Sequence, residues 1–113
     1  MAITNITLAA TPTVLVTGAS SGTAITVCFF CNNSTEDATI NVYLCATGTG
    51  ANQGDVGDST TNLNIILREV TVEAKDTYIL DTEKMILDSG ATLQAEQADS
   101  SGQVVVTVSK LDL

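Results

Sequence analysis

Apolar residues in this chain recur with a period of two almost from end to end. That is the repeat of a strand with one dry face; a helix would repeat every 3.6 residues. Ile3, Ile6 and Leu8 open a first short strand that ends near Thr11-Pro12. Pro12 has no amide proton, which suits a strand start or an edge. Val14 and Val16 carry the alternation to a turn over residues 18–22. In the next strand, Ala24 to Asn32, strict alternation puts Ile25, Val27, Phe29 and Cys31 on one face and Cys28 and Phe30 on the other. Residues 32–37 are a polar turn of Asn, Ser, Thr, Glu and Asp. Ile40, Val42 and Leu44 follow, and the pattern predicts a hairpin between these two strands.

The alternation breaks in two places. Residues 47–62 hold four glycines, Asp55 and Asp58, and almost nothing large and apolar. A connection that long inside a small domain is either functional or mobile. Beyond it, Leu63, Ile65 and Leu67 are apolar at odd positions but Val70 and Val72 at even ones. A β-bulge or sheet-switching bend at Arg68-Glu69 would restore the inward face. Asp76 to Asp81 reads as a strand carrying Tyr78 and Leu80, and residues 82–87 as either one helical turn or a short strand. Residues 88–90 and 99–102 are turns, and the last strand runs over Val104-Val105-Val106-Thr107-Val108. Seven or eight short strands with turn signals about every ten residues predict an antiparallel β-sandwich over residues 1–113, a single domain.

Composition narrows the function. Aromatic residues are 4% of the chain, so the core must be built from Val, Ile, Leu and Ala. With 4 basic and 13 acidic residues the net charge is −9. Such a surface repels phosphate backbones and anionic headgroups, which argues against nucleic acid and membrane as partners. Histidine is absent, so His-based triads and His-ligated metals are excluded. No basic leader followed by an apolar run is visible at the N-terminus, and no apolar run approaches the ~20 residues of a membrane helix.

The residues that suggest chemistry are few. Cys28-x-x-Cys31 with Cys45 has a redox or metal-like spacing. In an extended strand, however, positions three apart face opposite ways, and a fourth soft ligand is missing. Packed, reduced thiols are the favoured reading, with a disulfide to Cys45 and a metal site as alternatives. Asp55 and Asp58 could hold a cation but do not match a calcium loop, and a solvated loop is favoured. No pair among the 13 acids stands out for glycoside hydrolysis, and Trp is absent. Asn5-Ile6-Thr7 and Asn33-Ser34-Thr35 match the glycosylation sequon, expected by chance in a chain rich in Asn and Thr. No catalytic residue, cofactor or metal is expected.

The final strand is unusual in being apolar on both faces except at Thr107. Either the N-terminal segment covers its outer side or another subunit does. Val104, Val105, Val106 and Val108 are therefore candidate oligomer or partner contacts. Gly50, Asn52, Asp55 and Asp58 are the candidate contacts of the long loop.

Taken in order, several stretches resemble short all-β virion structural proteins of contractile-tailed cyanophages and related marine phages. They begin with Ile3-Thr4-Asn5-Ile6-Thr7-Leu8, Ala24-Ile25-Thr26-Val27 running to Cys31-Asn32, and Asn41-Val42-Tyr43-Leu44. The most specific runs from Asp76-Thr77-Tyr78-Ile79-Leu80-Asp81 through Thr82-Glu83-Lys84-Met85-Ile86-Leu87. Gly90, Leu93-Gln94-Ala95 and a closing Val-Thr-Val-Ser strand complete the match, which spans nearly the whole chain. The family's connection is shorter where residues 47–62 stand. The resemblance implies an immunoglobulin-like sandwich repeated in the particle, a virion protein assembled in the host bacterial cytoplasm. Its implied partners are copies of itself, a trimer first, and other virion proteins such as the major capsid protein. Capsid decoration is the leading role; a tail, neck, baseplate or fibre component, including a receptor-binding adhesin, is the alternative.

Overall fold

The computed structural model describes residues 2–45, 65–81, 85–98 and 103–113. These residues form nine strands: β1 (Ala2–Thr7), β2 (Thr13–Thr17), β3 (Thr23–Asn32), β4 (Ala38–Cys45), β5 (Ile65–Val72), β6 (Thr77–Leu80), β7 (Met85–Leu87), β8 (Thr92–Gln97) and β9 (Val104–Asp112). Of the two structures expected over residues 82–87, the described part, Met85–Leu87, is strand.

Every pairing among the described strands is antiparallel, and one set of them is nested. β1 pairs with β9, β2 with β8, β3 with β6 and β7, and β4 with β5. The chain behaves as one long ribbon doubled back on itself and then folded over. Two sheets result. Sheet A has the order β1-β9-β3-β6, with β7 also on β3, and sheet B the order β2-β8-β4-β5. Successive strands mostly alternate between sheets, which is the winding of a jelly roll. An immunoglobulin sandwich keeps its last two strands in one sheet. Here β8 and β9 lie in opposite sheets, so the two-sheet antiparallel sandwich stands but its strand order is not the immunoglobulin one.

The same winding corrects the expected hairpin. β3 belongs to sheet A and β4 to sheet B, and the turn between them is an arch that crosses the core. Asn32 holds it. Its buried amide donates to the carbonyl oxygens of Glu36 (2.8 Å) and Val72 (2.9 Å), and its Oδ1 accepts the Ser34 amide proton (2.9 Å). A hairpin turn would satisfy these backbone groups across the ladder; the arch satisfies them with one side chain.

Two of the bulges decide which residues of β3 and β5 face inward. In β5, Val70 pairs with Ile40 and Leu67 with Val42, so Arg68 and Glu69 together oppose Asn41. This is the parity flip expected there. Glu69 sits in the left-handed region (φ 51°), and its amide donates to Asn41 Oδ1 at 2.7 Å. A second bulge lies between Ile25 and Val27, where Thr26 Oγ1 donates to the Ser109 carbonyl at 3.0 Å. It moves Ile25 to the core face with Cys28 and Phe30, away from Val27, Phe29 and Cys31. The strict alternation expected for this strand is therefore wrong by one residue at its start.

The core between the sheets is aliphatic, as the low aromatic content requires. Ile25, Ile40, Val42, Leu93, Val104, Val106 and Val108 are at 0–1% exposure, with Phe30 the one large ring. Phe30 stacks obliquely on Tyr78 across the β3–β6 ladder, with ring centroids 6.3 Å apart. Burying each such side chain is worth about 1.5–3 kcal/mol.

Candidate interaction surface

Antiparallel partners share a face, so the registers of sheet A define rows of side chains on its outer side. Asn5, Thr107, Phe29 and Ile79 form one row. Thr7, Val105, Cys31 and Thr77 form the next toward one end, and Ile3, Ser109 and Val27 the next toward the other. Leu111, Ala24 and Ile86 complete the face. None of these fourteen residues is charged, in a chain of net charge −9. The described charges stand elsewhere: Glu36, Asp37, Glu73, Lys75, Asp76, Asp81 and Asp88 in turns, Arg68, Glu69 and Glu96 on sheet B, and Lys110 and Asp112 at the end of β9.

The face is also apolar. Ile3 is 67% exposed, Ile86 66%, Ile79 48%, Leu111 42% and Phe29 37%, and all five project from sheet A. An ordinary outward sheet face alternates polar with the core pattern. Single exposed apolar residues need no explanation, but a contiguous uncharged set marks a surface for contact with protein.

The strand flagged by the sequence lies at the centre of this sheet, between β1 and β3. Val104, Val106 and Val108 point inward with 0% exposure, so they belong to the chain's own core. Of the four valines, Val105 alone faces outward, half-buried between Thr7 and Cys31. β1 pairs edge to edge with β9 and leaves the outer face of the strand uncovered. Gly50, Asn52, Asp55 and Asp58 lie outside the described residues.

The signal for the other face residues is present in the sequence as short apolar runs inside alternating strands. Cys28-Phe29-Phe30, Tyr78-Ile79-Leu80, Met85-Ile86-Leu87 and Val104-Val105-Val106 each send their middle residue outward. Without knowing which strands are neighbours, these runs do not combine into one surface.

None of the three cysteines is in a disulfide. Cys28 is in the core, where burial pushes its thiol up to about 11, while Cys31 faces outward. The two lie on opposite sides of β3, as the extended spacing demands. Cys45 is buried on sheet B. Among the described residues no group of three or more Cys, Asp or Glu side chains is placed to hold a metal ion.

The outer side of sheet B is mixed: Val14, Gln94, Tyr43 and Ile65 share a row, Ile66 is 42% exposed, and a polar network joins Asn41, Tyr43 and Glu96. Tyr43 OH donates to Glu96 Oε1 at 2.7 Å, and Asn41 Nδ2 donates to the same oxygen at 3.0 Å. Asn41 Oδ1 takes the Glu69 amide, so this network fastens the β5 bulge. Tyr43 is pushed up to about 12, first by burial, then by the Glu96 hydrogen bond and charge, with Arg68 pulling the other way. A pocket of about 110 Å³ between the β5–β6 turn and Tyr78 is lined by Thr71, Val72, Glu73, Asp76 and Thr77. That is well below the roughly 300 Å³ of small-molecule sites.

No family model, no curated protein and no solved structure matches this chain.

Proposed function

We propose that this chain is a non-catalytic structural protein of a tailed-phage virion, decorating the capsid and stabilising the shell. The observation that carries the reading is the uncharged apolar outer face of sheet A, on a chain whose remaining surface is strongly acidic. Such a face gains stability when another protein covers it, and the chain's work is then mechanical: added buried area holds neighbouring subunits together. The resemblance to small virion proteins supports the placement. The jelly-roll winding agrees with it by analogy, since capsid and lectin domains use the same architecture.

Purified particles decide the matter. Mass spectrometry should find the chain in many copies per particle, and cryo-electron microscopy should place it on the shell lattice. Density confined to the tail or a fibre would replace decoration with the connector or adhesin role. Absence from purified particles would overturn the virion reading altogether.

A further inference from the structure

We propose that the outer face of sheet A is where this chain binds a second copy of itself. The inference rests on the reading of that face as a protein-contact surface, and it is independent of where in a particle the chain sits.

Charge points to the occupant. Two copies of net charge −9 repel each other over most of their surfaces. On the outward positions of sheet A there is no charge to repel and none to desolvate, so two such faces can meet without a like-charge pair. A basic partner, by contrast, finds no carboxylate on this face to pair with and would be drawn to the acidic turns.

Size is sufficient. β3 and β9 are 10 and 9 residues long, so the face runs about 30 Å along the strands. Four strand positions span about 19 Å across. With β1, β6 and β7 shorter than the two central strands, each copy contributes roughly 500 Å², and a stacked pair covers roughly 1,000 Å², the size that marks a specific interface.

The distribution of apolar side chains is self-complementary. Ile3 projects from β1 at one margin, Ile86 from β7 at the opposite margin, and they are the two most exposed large apolar residues of the face. A two-fold axis parallel to the strands lays the Ile3 margin of each copy over the Ile86 margin of the other. Phe29, on β3, lies between the margins and packs near the axis, while Ile79, on β6, shares the Ile86 margin. Each residue then meets its counterpart twice, as an isologous contact requires.

The test is the molar mass of the purified chain by light scattering and sedimentation, as a function of concentration. The monomer is 11.7 kDa. A closed oligomer, of about 23 kDa or larger, upholds the proposal if it falls to the monomer value in Phe29→Glu. Phe29→Glu sets two carboxylates near the axis and should weaken association on the order of a hundredfold or more. Ile86→Glu, at an exposed sheet margin, gives the same readout should Phe29→Glu fail to fold, which circular dichroism checks. Thr71→Glu, on exposed β5 of sheet B, should leave the mass unchanged. A monomer throughout, or an oligomer that both face variants leave intact, overturns the proposal. Because the measurement uses the isolated chain, its failure leaves the virion reading standing, and absence from particles leaves the oligomer standing.

Discussion

Replacing Asn32 with alanine should show how much of the fold depends on one side chain in the β3–β4 arch. Asn32 is fully buried and makes two donated bonds, to Glu36 O and Val72 O, and one accepted bond from Ser34 N–H. The Ser34 hydroxyl, 2.8 Å from Oδ1 and 2.7 Å from Glu36 O, has a single proton to place between them, so it is not counted. Three neutral bonds at about 1 kcal/mol each, with the Val72 carbonyl left buried and unpaired, make a loss of about 3 kcal/mol. That is a large part of a total stability of about 5–15 kcal/mol. For 113 residues it corresponds to a fall in Tm of about 12 °C. Urea denaturation followed by circular dichroism measures the first figure and calorimetry the second. Asn32→Asp sharpens the argument. The new carboxylate faces two carbonyl oxygens, so its folded-state pKa rises above the unfolded value of about 3.9. Its stability deficit relative to the parent is then full at neutral pH and shrinks as pH falls through the folded pKa, where the protonated acid can donate again. If Asn32→Ala costs less than about 1 kcal/mol, or Asn32→Asp equals the parent at neutral pH, packing alone holds the arch and the reasoning fails.

Further outcomes follow from other parts of the structure. A Cβ on Gly18 would fall on the backbone carbonyl of Asp88, so Gly18→Ala should destabilise by about 1–3 kcal/mol in urea; a neutral result would mean that the β2–β8 end yields freely. Glu69 pays for its left-handed backbone, so Glu69→Gly should be neutral or stabilising by up to about 1 kcal/mol and Glu69→Val destabilising, with the order read from thermal melts. Tyr43 should ionise only near pH 12 in an ultraviolet titration, and Glu96→Gln should bring that transition down. Because its folded pKa is raised, the stability tied to the protonated phenol is complete below the unfolded pKa of about 10 and is lost as pH rises through about 12. Phe30→Ala should open a core cavity and cost about 3–5 kcal/mol, measurable by urea denaturation; a cost under about 1 kcal/mol would mean that the core closes over it.

What was legible in the sequence is what neighbouring residues settle among themselves. The period of two specified strands because alternation is a property of one segment. The shift from Leu67 to Val70 specified the β5 bulge because the one extra residue between inward side chains has no other place to go. The faces of Cys28 and Cys31 followed from the same local geometry once β3 was a strand. Low aromatic content required an aliphatic core, and the core is aliphatic around Phe30.

What only the tertiary structure decided is which strand lies beside which. β1 and β9 pair across the whole length of the chain, and β3 and β4, adjacent in sequence, belong to opposite sheets. Alternation constrains a strand to have one dry face but is silent about its partner, because most strands here have a similar, largely aliphatic inward row. Partner choice rests on the closing of the arches and on contacts between distant segments. Asn32 illustrates it: as a turn residue it fitted a hairpin equally well, and only the positions of Glu36 O and Val72 O around it make it the bracket of an arch. The same holds for the uncharged face. Ile3, Phe29, Ile79, Ile86 and Leu111 come from five different strands, and they become one surface only when those strands are laid side by side.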